Sequence, residues 1–495
     1  VLVNGKRRHG ASNLTVNLTG GYVGAAAADL AFIPVSAISR VEVLQDGAAA
    51  QYGTDAIAGV VNIILKDQDQ GGSVSASTGS YFEGDGETNT FTANLGLKPV
   101  ENARLNLTVE RRTHGYSDRG GADQRVYTAA NLANPALRLI PGYPHLNYIY
   151  GDAKYELNVA SFDAGYAFSD QLEAYAFGAW GRRKGRSRQN YRFPGVAPTL
   201  WPQGFTPIIA IDDTDYAFTG GVKGVVLGGW AWDLSTTYGK DENEIGNLNS
   251  ANTSLIADTG TSPTNFHNGA FIGDQWTTSL DLSRGFDVGF AEPLNVAFGL
   301  EYREESFEIK AGDAASRYKT GAQAYPGFGL TDAAKHTRET TALYLDVAAS
   351  PVERLNLDAA VRYEDYSDFG DTTVGKLTGR YEFSPAFAVR GTVSSGFRAP
   401  TLAEQFYSAT TVTPTTAGVR LPPNNAAAAL LGISKLKPEE SRNYSVGFVA
   451  HPTENLSVTF DLYRIDIDDR IVSTGAIYGL QNGVARSPEV TAAIR

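Results

Sequence analysis

Fifteen segments of this chain alternate apolar and polar residues with a period of two, and the gaps between them take turns being short and long. In the segment 355–363, Leu355, Leu357, Ala359, Val361 and Tyr363 fall on one face, and Asn356, Asp358, Ala360 and Arg362 on the other. Such a period predicts strands, here near 72–80, 88–98, 103–112, 156–168, 171–182, 216–227, 229–240, 275–288, 293–304, 338–348, 354–365, 372–383, 386–397, 440–450 and 455–467. Most are close to the 9–11 residues with which a tilted strand crosses a bilayer. Short connections carrying Pro, Gly, Asn and Asp fall at 99–102, 169–170, 228, 291–292, 349–353, 384–385 and 451–454. Between them lie long ones at 113–155, 183–215, 241–274, 305–337 and 398–439, and two modest ones at 81–87 and 366–371. Tight turns therefore gather at one end and large loops at the other, as in a membrane barrel. A sandwich or propeller has no reason to sort its loops this way, and a β-helix would show a fixed repeat.

Composition agrees with many twisted strands. The 495 residues include 53 Gly, 25 Tyr and 23 Phe, and only 19% are charged. With no Cys, disulfides and thiolate metal sites are excluded. The longest Ala-rich apolar stretch, Val23 to Ile38, is interrupted by Asp29 and Pro34, too soon for a membrane helix. A net charge of −12 argues against a nucleic-acid binder. No nucleophile elbow, phosphate loop, dinucleotide fingerprint or helical His pair occurs, so neither an enzyme nor a cofactor is expected. Asp212, Asp213 and Asp215, like Asp466, Asp468 and Asp469, do not match a dedicated calcium loop, and no metal is assigned.

The first 66 residues read differently. Pro34 starts a short turn over 35–39, and Arg40 to Leu44 reads as a strand. Asp46 is placed to cap a short helix, Ala48 to Tyr52, that Gly53 ends. Gly59 to Leu65 is a second strand, apolar enough to be buried.

Here a family becomes recognisable. The string Ile33-Pro34-Val35-Ser36-Ala37-Ile38-Ser39-Arg40-Val41-Glu42-Val43-Leu44, followed by Gly47, Tyr52-Gly53 and Ala56-Ile57-Ala58-Gly59-Val60-Val61-Asn62-Ile63-Ile64, resembles the plug of TonB-dependent outer-membrane receptors. Leu2 to Arg8 resembles an earlier strand and turn of that plug, while Ser395 to Leu402 and Leu436 to Glu439 resemble landmarks of the family barrel. Gln45-Asp46-Gly47 stands where many members have a basic residue and Gly.

The resemblance implies a transmembrane antiparallel β-barrel with a small N-terminal α/β plug domain. Residues 1–66 are expected to be the C-terminal part of the plug, 67–71 a linker and 72–495 the barrel with long extracellular loops. Family barrels have about 22 strands, so the coupling box, the first part of the plug and several strands are expected beyond this chain. The implied function is TonB-dependent active import across the bacterial outer membrane of a scarce, bulky nutrient. A ferric siderophore is the family's commonest cargo, with oligosaccharide or cobalamin behind it; a passive porin or a surface receptor or adhesin is the alternative. Implied partners are outer-membrane lipid and lipopolysaccharide, the inner-membrane TonB complex and a small to medium ligand.

Three groups of residues are singled out. Arg40 and Glu42 share one face of their strand, and the resemblance suggests contacts with the barrel wall, Glu439 being a candidate partner for Arg40; a local pair or a solvated face is the other reading. With them go Tyr52 and Asn62 of the plug motif and Gly47, Gly53 and Gly59, expected to serve turns and close packing. The loop aromatics Tyr143, His145, Tyr148, Tyr150, Trp201, Phe205, Tyr325 and Phe328 are candidates to face a ligand, or else to pack loops together. Arg182, Lys184, Arg186, Arg188 and Arg192 form a ladder continuing the face of Trp180. Facing outward, it would meet lipopolysaccharide phosphates; lining the mouth, it would attract an anionic ligand.

Overall fold

The computed structural model describes residues 1–14, 27–44, 48–147, 150–226, 228–413, 416–420, 424–472, 476–481 and 483–494. Each alternating segment is a strand: Gly72–Gly79, Thr88–Leu97, Ala103–His114, Lys154–Ser169, Leu172–Arg188, Ile208–Val226, Trp230–Leu248, Phe266–Phe286, Glu292–Ala311, Ala334–Val352, Leu355–Tyr366, Gly370–Ser384, Phe387–Arg398, Glu439–Thr453 and Leu456–Asp468. The fifteen pair with their sequence neighbours in one sheet, every pairing antiparallel, with Gly72–Gly79 and Leu456–Asp468 at its edges. Register is fixed by the alternation itself, because a one-residue slip would turn every apolar side chain to the wrong face.

Several strands overrun the expected span, and the longest overruns are toward the long loops. The segment read as 216–227 begins at Ile208, its neighbour runs on to Leu248, and Phe266–Phe286 reaches 21 residues, about twice a bilayer crossing. Parts of these extensions, such as Asp212-Asp213-Thr214-Asp215, are polar on both faces, so hydrophobic alternation breaks off there.

The outer wall carries two belts of aromatic rings. Tyr216, Tyr238 and Trp276 follow one another at centroid spacings of 6.1 and 6.3 Å, with Trp180 in register beside Tyr216. At the other end, Trp230 meets Phe286 and Phe298 at 5.8 and 5.9 Å, and Phe383, Phe387, Phe448 and Phe460 continue the belt. Trp276 and Phe286 lie ten residues apart on one strand, about 33 Å along it. Strand tilt reduces that to about 25 Å, the height of the apolar band of an outer-membrane barrel. Exposed Leu300, Leu343, Leu345 and Val361 fill the space between the belts.

Inside the sheet sits a small α/β unit. Val60–Leu65 is its central strand, parallel to Leu2–Val3 and antiparallel to Ile38–Leu44. Asn4 and Gly5 both adopt positive φ, as the two-residue turn joining Leu2–Val3 to Lys6–Arg7 requires. The helix is Ala49–Tyr52, capped by Ala48 without a side-chain bond; Asp46, expected to cap it, lies outside the described residues. Its apolar side packs straight onto the wall: Leu2, Ala48, Ala49, Ala56 and Val60 against Tyr366, Val374, Phe397 and Ala399. On the opposite side, Ile33, Ala37, Ile63 and Leu65 meet Phe177.

The segment read as a plain loop over 398–439 is more structured than its composition suggests. A capping box between Thr401 and Glu404 starts the helix Leu402–Phe406. Beyond it, Ala409–Thr413, Thr416–Arg420, Ala476–Gln481 and Val484–Ala485 form a second small antiparallel sheet.

Candidate ligand vestibule and plug seam

The parity of the wall decides what can meet the plug. On Leu172–Arg188, Gly181 abuts the Phe32 ring and Arg183 Nη2 donates to Asp29 at 2.6 Å, so odd positions face inward. Carboxylates at inward positions on five of the strands then hold the plug. Asn4 donates to Asp163 at 2.8 Å, and Lys6 sits between Asp233 and Asp281 at 3.4 Å from each. Arg8 pairs with Asp215, which also bonds His9 at 3.0 Å, and the Ser12 amide donates to Asp241 at 2.6 Å. Gln51 reaches Asp346 at 2.5 Å. Burial pushes the His9 imidazole below its usual value, against the pull of Asp215. Gly239 makes this approach possible, since a Cβ there would collide with the His9 ring.

Below the helix lies a closed charge network that the sequence reading missed. Arg362 Nε bonds Glu364 at 2.6 Å and its Nη2 stands 3.4 Å from Glu301, while Arg303 reaches Glu301 at 3.4 Å and the Tyr366 hydroxyl at 3.3 Å. The signal was the spacing Glu301, Arg303, Glu305 and Arg362, Glu364, charges two apart on the inward parity. Charges there must pair, because they are sealed from water. The Thr54 amide donates to Glu364 at 3.3 Å, and Gly53, at φ 77°, rests against Glu364 and Arg362.

The proposed partner of Glu439 is corrected. Arg398, not Arg40, binds it, through Nε at 3.0 Å and Nη2 at 2.9 Å, and also pairs with Glu404. Arg40 instead pairs with its neighbour Glu42 at 2.8 Å, and both are exposed. Adjacent like-facing positions on a strand reach each other at little cost, whereas Glu439 belongs to the wall beside Arg398 in register. Asn62 ties the motif together, donating to Glu42 at 3.1 Å and accepting from the Gly5 amide at 2.9 Å. The Tyr52 carbonyl accepts from Arg7 at 2.7 Å, and Gly59 leads into the strand Val60–Leu65. Gly47 lies outside the described residues.

Among the loop aromatics, Phe205 takes the packing role, and Phe328 packs as well while one side of it lines the smaller of two cavities above the plug. Phe205, 3% exposed, clusters with Ala197 and Ala251 and stacks on Trp201, whose indole donates to the Ser250 carbonyl at 3.2 Å. Phe328, 2% exposed, is enclosed by Phe271, Phe307 and Tyr407. Loops this long need their own apolar cores. Tyr143 packs against the loop cluster around Leu146 and Tyr191, whereas His145 and Tyr150 are exposed. Tyr148 lies outside the described residues.

The basic ladder faces outward over most of its length. Arg182, Lys184, Arg186 and Arg188 share Trp180's parity, opposite the inward Gly181 and Arg183. It is not a pure positive stripe: Asp212 pairs with Arg186 at 2.9 Å and Arg182 at 3.5 Å, and Glu156 stands across from Lys184. Arg188 lies over the Tyr116 ring at 4.2 Å. Arg192 leaves the ladder, donating to Gln323 at 2.9 Å and tying two loops together.

Two cavities open above the plug. The larger, about 600 Å3, is bounded by Asn13, Asp29, Arg183, Asp213, Asp241 and Asn243 among others, a volume usual for small-molecule sites. The second, about 350 Å3, lies among Phe328, Tyr407, Arg420 and Tyr478. Tyr325, Gln189 and Ile209 line both. Burial holds the Tyr325 phenol well above its usual range, so it remains a neutral hydrogen-bonding group between them. Of the eight aromatics singled out, Tyr325 lines both cavities and Phe328 lines the second.

An inward plug, an outward aromatic band and loops gathered at one end are shared with one known group of proteins. The family described as "TonB dependent receptor-like, beta-barrel" matches residues 42–488, and the "TonB-dependent Receptor Plug Domain" matches residues 1–60. The chain belongs to the TonB-dependent receptor family. Within that family, a vitamin B12 transporter BtuB of Vibrio cholerae serotype O1 is 23% identical over 410 residues, 82% of this chain and 53% of the relative. The BtuB of Vibrio vulnificus is 24% identical over 455 residues, 91% and 58% of the two chains. The chain thus spans little more than half the length of these receptors. Among solved structures, the siderophore receptor PirA of Acinetobacter baumannii shares the fold at a TM-score of 0.64 and 17% identity, covering 95% of this chain and 62% of that one. The ferric enterobactin receptor PfeA of Pseudomonas aeruginosa does so at 0.66 and 15%, covering 94% and 64%.

Proposed function

We propose that the protein imports a scarce, bulky nutrient across the bacterial outer membrane by TonB-dependent active transport. The observation that carries this reading is the seam between plug and wall. A plug that must block the lumen yet release under a pull needs contacts that water can replace. Bonds from Asn4, Lys6, Ser12 and Gln51 to aspartates on several strands are of that kind, since each can be exchanged for hydration. On this reading residues 1–66 act as the plug, 67–71 as the linker and 72–495 as the barrel. The inner-membrane TonB complex supplies the pull.

Receptors named for siderophores and a transporter named for vitamin B12 are among its relatives, which supports a ferric siderophore or cobalamin as cargo, with oligosaccharide beside them. The outward ladder beneath the loops suits lipopolysaccharide phosphates better than cargo, because Arg182 and Lys184 point away from the lumen.

Uptake by cells carrying the full-length gene tests this. Ferric chelates, cobalamin and oligosaccharides, each labelled, are compared with and without a protonophore. Uptake of one ligand that the protonophore abolishes is the expected result. Uptake that survives it and scales with ligand size would sink active transport in favour of a porin, and surface binding without uptake would favour a receptor or adhesin.

A further inference from the structure

The larger cavity has an unbalanced lining. Asp213 and Asp215 on one strand stand across from Asn243 and Asp241 on the next, all four facing inward. Most of their oxygens are taken. Asp215 holds Arg8 and His9, Asp241 accepts from Ser12, and one Asp213 oxygen accepts from Arg183, which also holds Asp29. Two are not: Asp213 Oδ1 and Asn243 Oδ1 have no hydrogen-bond partner, although these residues are only 2% and 4% exposed. Both residues line the cavity, and a buried acceptor left without a donor costs about 1–3 kcal/mol. The charges are uneven as well, because Asp29, Asp213 and Asp241 face a single cation, Arg183, among the described lining residues.

Resting on the reading above that this vestibule receives the cargo, we propose that the larger cavity takes a hydrogen-bond-donating group without negative charge, such as sugar hydroxyls or an ammonium, and rejects a polyanionic ferric chelate. A donor entering beside Asp213 and Asn243 satisfies the two orphaned oxygens once a small side-chain rotation turns them into the cavity. A ligand carrying several negative charges meets carboxylates that only one guanidinium among the described lining residues offsets, and the repulsion is stronger there than in bulk water. Ligand shape and the second cavity then select among donor-bearing molecules.

The test uses the full-length receptor purified in detergent and three probes: maltotriose, a ferric trihydroxamate bearing a free ammonium group, and a trianionic ferric tris-catecholate. The two chelates share the metal and differ in charge and in chelating group, and charge-changing variants of the wall isolate the charge. Calorimetry is expected to show maltotriose or the ammonium-bearing chelate binding at least about tenfold tighter than the tris-catecholate. Asn243→Asp, which adds a carboxylate, should widen the gap between the two chelates, and Asp213→Asn combined with Asp241→Asn should narrow it. Retained heat-modifiable mobility on gels marks each variant as folded. Tris-catecholate binding as tightly as the others, or variants that leave the ratio unmoved, would overturn the proposal, as would failure of both donor-bearing probes to bind. Uptake separates this from active import. Protonophore-sensitive uptake of the tris-catecholate would overturn the charge preference and leave energised import standing, whereas tight binding of an ammonium-bearing probe without energised uptake would do the reverse.

Discussion

Arg398 lies side-on against Glu439, with two hydrogen bonds of 2.9 and 3.0 Å joining the guanidinium to a carboxylate that is wholly buried. The Ile471 amide adds a third bond to the same carboxylate at 2.8 Å, and Glu404 takes the other side of Arg398. The pair fastens the ends of two adjacent strands to the helix Leu402–Phe406 at the mouth of the barrel. Removing Arg398 leaves the buried Glu439 with only the Ile471 amide and the more distant Arg470, at 3.7 Å, so Arg398→Ala should cost up to about 3 kcal/mol, measured by denaturant unfolding of the full-length protein. Glu439→Gln, which keeps the shape and part of the bonding, should cost less. Equal losses would mean that charge is not what matters there.

Gly53 offers a sharper probe of the plug. Its φ of 77° suits glycine, and an added methyl would meet Arg362 Nε at 2.9 Å as well as Glu364. Gly53→Ala should therefore loosen the plug by about 1–3 kcal/mol while sparing the barrel. Faster protease cleavage within residues 1–66, with the heat-modifiable barrel intact, is the expected readout. Cleavage at the wild-type rate would show that the network can shift to admit a methyl.

His9 should make plug seating depend on pH. Burial lowers its pKa in the folded state, so as pH falls the released plug takes up a proton before the seated one does. Seating is then firmest above the free-histidine value of about 6.5 and weakens as pH drops below it toward the folded value. Hydrogen exchange at the plug amides, followed between neutral and mildly acidic pH, should rise for the wild type, and His9→Gln should flatten that rise. A variant that keeps the full slope would shift the titration to another group.

The outward ladder should matter to lipid and not to cargo. Reversing Arg182 and Lys184 to Glu should weaken association with lipopolysaccharide by about 1 kcal/mol per charge at low salt. Binding of the transported ligand should stay within about twofold, since both side chains point away from the lumen. A large loss of ligand affinity would place the ladder at the mouth instead.

How far the sequence reaches is plain from particular residues. The alternation of Leu355, Leu357, Ala359, Val361 and Tyr363 against Asn356, Asp358, Ala360 and Arg362 predicted a strand with one apolar and one polar face, and the sheet has that strand with Leu357, Val361 and Tyr363 exposed and Arg362 buried. Its strand ends were less legible. Asp212 to Asp215 stand above the bilayer with water or lumen on both sides, so no apolar face marks them. The charges Glu301, Arg303, Arg362 and Glu364 were visible as a pattern, yet nothing in their spacing named their partners.

The fifteen barrel strands and the two-residue alternation of their faces were therefore determined by the sequence alone, because that contrast repeats every second residue and is local; which face of Leu172–Arg188 points inward was settled by Gly181 and Arg183 meeting the plug. Tertiary structure alone decided that Glu439 binds Arg398 rather than Arg40, that Phe205 and Phe328 turn into loop cores, and that Asp213 and Asn243 share a cavity. Those outcomes depend on which strands and loops meet across tens or hundreds of residues. A charge or a ring takes whichever partner the folded wall brings within reach, and no local pattern records that choice.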